Sequence, residues 1–331
     1  MSKLTDVGRQ LVNYPTGVLG RNRPWYFMNL LDVVNGPRTL EDAVGGRVVM
    51  ITGASSGIGR ATAIRVGDAG AITVLVARGI DKLDETRREI EAGGGTAFVH
   101  ACDLSDIEDI ERMAKEVLRE HGSVDVLVNN AGRSIRRSVE LSYQRMHDYE
   151  RTMQINYFGA VRLILSLLPA MRERRSGHIV NISSAGVQSK VPRFSGYVAS
   201  KAALDAFSDC VAGEVHHDGV RFTTVFMPLV RTPMIAPTKI YRRLPAMTSS
   251  EAADMVCDAI IHRPRRLGTP VGNLATLGNA VSPRSMDAVR NAAYRLFPDS
   301  QAARGEDSVG GAEDVSVLAQ VFGRVGRGVH W

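Results

Sequence analysis

The chain is poor in cysteine and has no long apolar run, and each shortage excludes something. Its 331 residues include three cysteines, Cys102, Cys210 and Cys257, widely spaced and with no CxxC pair. A disulfide framework is therefore not expected, and reduced thiols in a cytoplasmic setting are. No stretch reaches the roughly 18 consecutive apolar residues of a membrane span, and the N-terminus lacks the apolar core of a secretion signal. A soluble or peripheral protein follows as the expectation. The net charge is +6, yet the arginines and lysines are scattered and no DNA- or RNA-reading motif accompanies them. Such a surface suits anionic cofactors or lipid headgroups, and no nucleic-acid partner is expected. No internal repeat is visible, and no metal site is read from the sequence.

With 44% hydrophobic and 23% charged residues, the chain can bury a sizeable core. Residues 1–46 read as an irregular extension broken by Pro15, Gly17, Gly20, Pro24, Gly36 and Pro37. From Val48 short β-branched runs alternate with amphipathic stretches, the pattern of βαβ units. Strands are predicted over 48–51, 72–77, 96–101, 124–129, 177–183 and 220–226. Helices are predicted over 57–69, 80–92, 105–121, 143–175, 195–217, 249–262 and 283–296. The expected fold is α/β: a single domain over 47–298, with a doubly wound parallel sheet and helices on both faces. Beyond residue 299 the Gly-, Ser- and Asp-rich composition predicts a partly mobile tail.

Directly after the first strand, TGASSGIG (52–59) is a Gly-rich turn opening a helix. Gly53, Gly57 and Gly59 let the backbone approach a pyrophosphate, and the helix N-terminus faces it. The second strand ends in Ala77 and Arg78, where an NAD enzyme would carry Asp or Glu. That favours the 2′-phosphate of NADP, with Arg60 either a second cation there or a solvated charge. Asp103, ending the third strand, can bind the adenine amino group or cap the following helix. In NNAG (129–132), Asn130 can hold neighbouring strands, and Gly132 lets the backbone pass a cofactor.

Tyr197 and Lys201 lie four apart on a predicted helix, so they share one face and can meet at one substrate oxygen. A phenol of unperturbed pKa about 10 is a poor proton donor near neutrality unless a cation stabilises its phenolate, which Lys201 can do. Two serines precede them, and strand alternation puts Ser183 and Ser184 on opposite faces.

TGASSGIG, NNAG, a serine thirteen residues before Tyr197, and YVASK together resemble the short-chain dehydrogenase/reductases over about residues 47–235. That spacing selects Ser184, with Ser183 as the fallback. The resemblance implies a Rossmann-type domain with a substrate-binding lid at about 228–250, and catalysis by Asn156, Ser184, Tyr197 and Lys201. In it Ser184 donates to the developing oxyanion, Lys201 also binds the nicotinamide ribose, and Asn156 anchors a relay water. It further implies cofactor contacts from Ser55, Ser56, Ile58, Leu104, Ala131, Pro228, Val230 and Thr232. Leu229 departs from the family's Pro-Gly at the end of the sixth strand.

The segments MPLVRTPMIAPTKIYRRLP and NNAGRSIRRSVELSYQRMHDYERTMQINY are similar to bacterial fatty acyl-CoA reductases of this superfamily. NADPH-dependent reduction of a long-chain acyl-CoA to the aldehyde is the implied activity. It needs no cysteine nucleophile, because hydride addition gives a hemithioacetal that can expel CoA thiolate; the three cysteines read as buried small hydrophobes. Arg136, Arg137, Lys239, Arg242 and Arg243 flank the expected cleft: either they meet CoA phosphates while Leu229, Met234, Ile235 and Ile240 line an acyl channel, or the segment is a mobile lid with solvated charges. Two other functions are weighed: a ketone, 3-oxoacyl or steroid-type carbonyl reductase using the same site, and a non-enzymatic NADP-binding regulator. The family habit implies a homo-oligomer. The segment RNRPWYFMNLLDVV (21–34) either gives weak peripheral attachment to anionic membranes or packs on the core or a second subunit.

Overall fold

The structure, a computed structural model, describes residues 39–236, 238, 241 and 244–304. Seven parallel strands form one sheet: β1 (Val48–Thr52), β2 (Ile72–Ala77), β3 (Thr96–Ala101), β4 (Val126–Asn129), β5 (Gly177–Ser184), β6 (Val220–Met227) and the short β7 (Arg266–Leu267). Their spatial order is β3-β2-β1-β4-β5-β6-β7, so the winding reverses between β1 and β4. In open α/β sheets that reversal opens a crevice at the carboxyl ends of the two strands, where ligands bind.

Alternation along the strands divides the core into two layers. Val49, Ile51, Leu75, Val128 and Val180 face one side, packing with Ala63, Val66, Leu83, Ile90, Met255 and Val256. Met50, Val74, Leu127 and Ile179 face the other, against Ile110, Met113, Val117, Leu163 and Leu167. The central strands read as unbroken apolar runs because helices cover both faces. Helix α4 (Ile107–His121) shows how a polar stretch finds its place: Ile110, Met113, Ala114 and Val117 make one buried stripe, and Asp106 caps the N-terminus by accepting from the Glu108 and Asp109 N–H groups.

Four departures from the expected layout bear on the site. The extension ends in a helix, α1 (Leu40–Val44), fixed by a Thr39–Asp42 capping box, and its Ala43 and Val44 join the core. The single helix predicted over 143–175 is instead α5 (Met146–Met153), a π-helical turn (Gln154–Phe158) and α6 (Gly159–Glu173). Beyond α9 (Ser249–His262) and β7, an unforeseen α10 (Pro270–Val281) precedes α11 (Pro283–Leu296). The tail predicted to be mobile from residue 299 is anchored at its start, where Ser300 and Ala303 are buried. The segment 21–34, Lys239, Ile240, Arg242, Arg243 and the tail beyond Arg304 lie outside the described residues. Among the described residues, no helix is long and apolar enough to cross a membrane.

Candidate active site

The Gly-rich turn sits at the mouth of the crevice between β1 and β4. A Cβ at Gly59, in α2 (Gly57–Asp68), would fall 2.3 Å from the Gly53 carbonyl oxygen and 2.5 Å from Asn130 Nδ2, so only glycine fits there. Asn130 closes the cradle by donating from Nδ2 to the Thr52 carbonyl at 2.9 Å. Thr52 Oγ1 accepts from the Asn130 and Ala131 N–H groups, both at 3.0 Å, binding the ends of β1 and β4 together. Thr232 lies across the turn, its methyl 3.1 Å from where a Gly57 side chain would begin. The backbone at Leu229–Arg231 is pinned to Met247 by two hydrogen bonds.

Arg78 is exposed at the end of β2 and has no ion pair among the described residues. Asp103 accepts from the Ser105 hydroxyl at 2.7 Å and the Ser105 N–H at 3.0 Å. Those donors, then the Arg78 charge, hold its carboxyl below the usual range. Asp106, and not Asp103, is the cap of α4. Arg60 is committed elsewhere, to an ion pair with Glu89 of α3 (Ile80–Ala92).

Ser184, Tyr197, Lys201 and Asn156 converge one strand further along. Ser184 ends β5 and accepts from the Gly186 N–H at 3.0 Å, starting α7 (Ala185–Ser189). Burial raises the pKa of the Tyr197 phenol, and a hydrogen bond with Ser184 pulls it partly back. Ser183 points away, its buried hydroxyl without a partner among the described residues, as alternation requires. Lys201, in α8 (Ser195–Glu214), is 4% exposed and donates to the Ile182 carbonyl at 2.8 Å. Desolvation lowers its pKa to about 8. A side chain on Gly132 would meet Asn156 Oδ1 at 2.9 Å and Lys201 Nζ at 3.3 Å, so the glycine lets NNAG run beside the catalytic groups.

Asn156 lies in the π turn, and its amide is a strut. Oδ1 accepts from the Arg133 N–H at 2.8 Å, while Nδ2 donates to the Arg133 carbonyl at 2.8 Å and to Ser200 Oγ at 2.9 Å. Ser200 donates on to the Tyr197 carbonyl at 2.7 Å, so the amide fixes the Tyr197 turn. Both Nδ2 hydrogens are taken within the protein. A second buried chain, Asn129 to Asn181 at 2.9 Å and Asn181 to Ser208 at 2.8 Å, registers α8 on β4 and β5. Sequence patterning missed Ser200, Asn181 and Ser208, whose side-chain partners Asn156, Asn129 and Asn181 are distant along the chain.

An apolar cluster lies against Tyr197. Leu229 is buried with Val191, Phe194, Tyr241, Leu244 and Phe297, and Tyr197 and Ile235 pack against that cluster. Met234, expected beside them, is 46% exposed. The expectation that Arg136 and Arg137 face CoA phosphates is corrected, because both are turned inward onto the C-terminal segment. Arg136, 8% exposed, donates to the Phe297 and Pro298 carbonyls at 3.3 and 2.9 Å. Arg137 donates to the Ala303 carbonyl and pairs with Asp148 at 3.2 Å. Arg193, unremarked in the sequence, donates to the Tyr294 carbonyl at 3.0 Å, pairs with Asp299 at 3.2 Å and stacks 4.0 Å over the Tyr294 ring. Among the cysteines, Cys102 and Cys257 are buried with pKa values pushed up to about 12, whereas Cys210 is exposed, contrary to expectation. The two buried thiols are held in the neutral form and are poor nucleophiles.

The short chain dehydrogenase profile matches residues 47–241, which hold the cradle and all four catalytic candidates. This chain belongs to the short-chain dehydrogenase family. It is an oxidoreductase built for a nicotinamide cofactor. It is 54% identical over 324 residues to an uncharacterized oxidoreductase of Mycobacterium tuberculosis, covering 97% of this chain and 94% of that one. It is 49% identical over 288 residues to the fatty acyl-CoA reductase of Acinetobacter baylyi, covering 87% and 96%. Among solved structures, a metagenomic short-chain oxidoreductase in complex with NADP aligns with a TM-score of 0.58 at 34% identity, covering 66% of this chain and 92% of that one.

Proposed function

We propose that this protein is an NADPH-dependent reductase that converts long-chain fatty acyl-CoA to the fatty aldehyde. The observation that carries this reading is the apolar wall beside Tyr197, in which Leu229 stands where the family has glycine and Phe297 closes the cluster. A sugar or other polar carbonyl substrate would leave its hydroxyls unpaired there. The A. baylyi fatty acyl-CoA reductase supports the same assignment.

The residues present fit NADPH. The glycine cradle leaves the backbone open to a pyrophosphate, and Ala77 followed by an exposed Arg78 offers a cation, and no carboxylate, to a 2′-phosphate. When bound, this cofactor supplies the hydride. Tyr197, kept protonated by burial, donates its proton to the oxygen as negative charge develops there. Ser184, already on the phenol, adds a hydrogen bond to the same oxygen. With a pKa of about 8, Lys201 is mainly cationic at neutral pH and stabilises the phenolate left behind. As the hemithioacetal C–O bond becomes C=O again, Tyr197 recovers that proton and the C–S bond breaks. CoA leaves as thiolate and takes a proton from solvent.

NADPH oxidation over a series of acyl-CoA lengths, beside a ketone panel and with mass spectrometry of products, tests the assignment. Fatty aldehyde and free CoA are expected; a secondary alcohol from a ketone, with acyl-CoA untouched, would overturn it. Arg78→Ala should weaken NADPH binding far more than NADH binding, and equal losses would remove the 2′-phosphate role.

A further inference from the structure

The edge strand β3 lies four strand spacings from β5, about 19 Å from the chemistry. Near its end His100 meets the last turn of α4. His100 Nε2 is 3.4 Å from Glu120 Oε2, and His121 Nε2 is 3.9 Å from the same oxygen. The three donor atoms lie within 4.8 Å of one another. The two imidazole side chains are only 9% and 8% exposed, while the Glu120 side chain is 39% exposed and free to adjust. His121 Nε2 is buried with no hydrogen-bond partner among the described residues, and its ring is held edge-on by Phe98 at 4.7 Å between centroids.

Separations of 3.4 and 3.9 Å are longer than the about 2.7–3.2 Å usual for hydrogen bonds. They are near the edge of a coordination tetrahedron, since ligand bonds of about 2.0–2.2 Å place ligand atoms roughly 3.4 Å apart. We propose that His100, Glu120 and His121 form a binding site for a divalent transition-metal ion of the zinc class. Two imidazoles and one carboxylate supply three ligands and leave a fourth position for water. Nitrogen donors favour such an ion over magnesium or calcium, which take oxygen shells. The bound ion fastens the edge strand that leads to Asp103 to the C-terminal end of α4, and takes no part in hydride transfer. Glu120 Oε1 lies 3.8 Å from Arg119, which 76% exposure leaves free to swing into solvent.

Calorimetric titration of the untagged full-length protein with Zn²⁺ tests this, with Co²⁺ absorption reporting the ligand geometry. One equivalent of saturable binding, a raised melting temperature and tetrahedral-type Co²⁺ bands are expected. His100→Ala and His121→Ala should each weaken binding at least tenfold, the lower end of what losing even an outer partner of a metal ligand does (roughly 10–100-fold). Glu120→Gln alters a partly exposed side chain and should do the same with an unchanged circular dichroism spectrum, while His217→Ala, at a separate exposed imidazole, should leave binding as it was. Absence of stoichiometric binding, or equal affinity in Glu120→Gln and wild type, would overturn the site.

Discussion

At the scale of single residues, burial decides which groups are charged. His178 lies wholly inside the sheet with Nε2 2.9 Å from Thr223 Oγ1, and desolvation, then the Arg263 charge, lowers its pKa to about 3. The unfolded chain, with histidine near 6.5, binds the proton first, so stability is fully present above pH 6.5 and is lost as pH falls toward 3. Between pH 7 and pH 5 this single group should remove about 2 kcal/mol, from about 1.4 kcal/mol per unit of pKa difference. Urea unfolding at the two pH values checks it: His178→Gln should have a shallower pH dependence by that amount, whatever its own stability. Lys201 acts in the same sense at alkaline pH. Its folded pKa of about 8 lies below the unfolded 10.5, so the charged form opposes folding and stability should rise as pH climbs from 8 to 10.5.

Among the elements, the C-terminal segment has a role that sequence reading did not give it. Arg136, Arg137 and Arg193 hold the backbone from Tyr294 to Ala303, seating Phe297 in the wall beside Tyr197. Arg193 does so from a left-handed backbone, φ 70°, a conformation that costs an arginine of order 1–3 kcal/mol and persists only where its surroundings hold it. Phe297→Ala should enlarge the acyl side and shift the preferred acyl-CoA toward longer or bulkier chains, changing kcat/KM across the series by tenfold or more. NADPH affinity should stay the same; a uniform loss at every chain length would show a purely structural role for the ring. Strands and most helices were legible in the sequence because hydrophobic period and Gly or Pro punctuation mark them locally. The π turn was not, since residues 143–175 keep one amphipathic rhythm through the extra residue that places Asn156. Carbonyls that receive an arginine carry no residue signature, so the clasp on residues 294–303 could not be read before the chain was folded.

For the whole molecule, apolar side chains remain at the surface, with Leu274 67%, Leu277 59% and Val281 76% exposed along one face of α10, and Phe158 and Leu165 about half exposed on the π turn and α6. Surfaces of this kind fit the proposed homo-oligomer. Weak peripheral contact with anionic membranes through residues 21–34 remains a separate proposal, and the structure fixes where to cut to test it. Truncation at Gly45 would remove Ala43 and Val44 from the core, whereas a chain starting at Arg38 keeps the Thr39 cap and α1 intact. Liposome co-sedimentation should fall for the chain starting at Arg38 relative to full length, with unchanged melting temperature. Equal sedimentation of the two would end the membrane role.

The whole account turns on Tyr197 as the acid that meets the substrate oxygen, and Tyr197→Phe isolates that one hydroxyl. Acyl-CoA-dependent NADPH oxidation by this variant, measured beside its NADPH dissociation constant, is the most direct test. The expected result is a fall in turnover of about 10²- to 10⁴-fold, the usual worth of general acid catalysis, with cofactor affinity nearly intact. Turnover above about a tenth of the wild-type rate would contradict it.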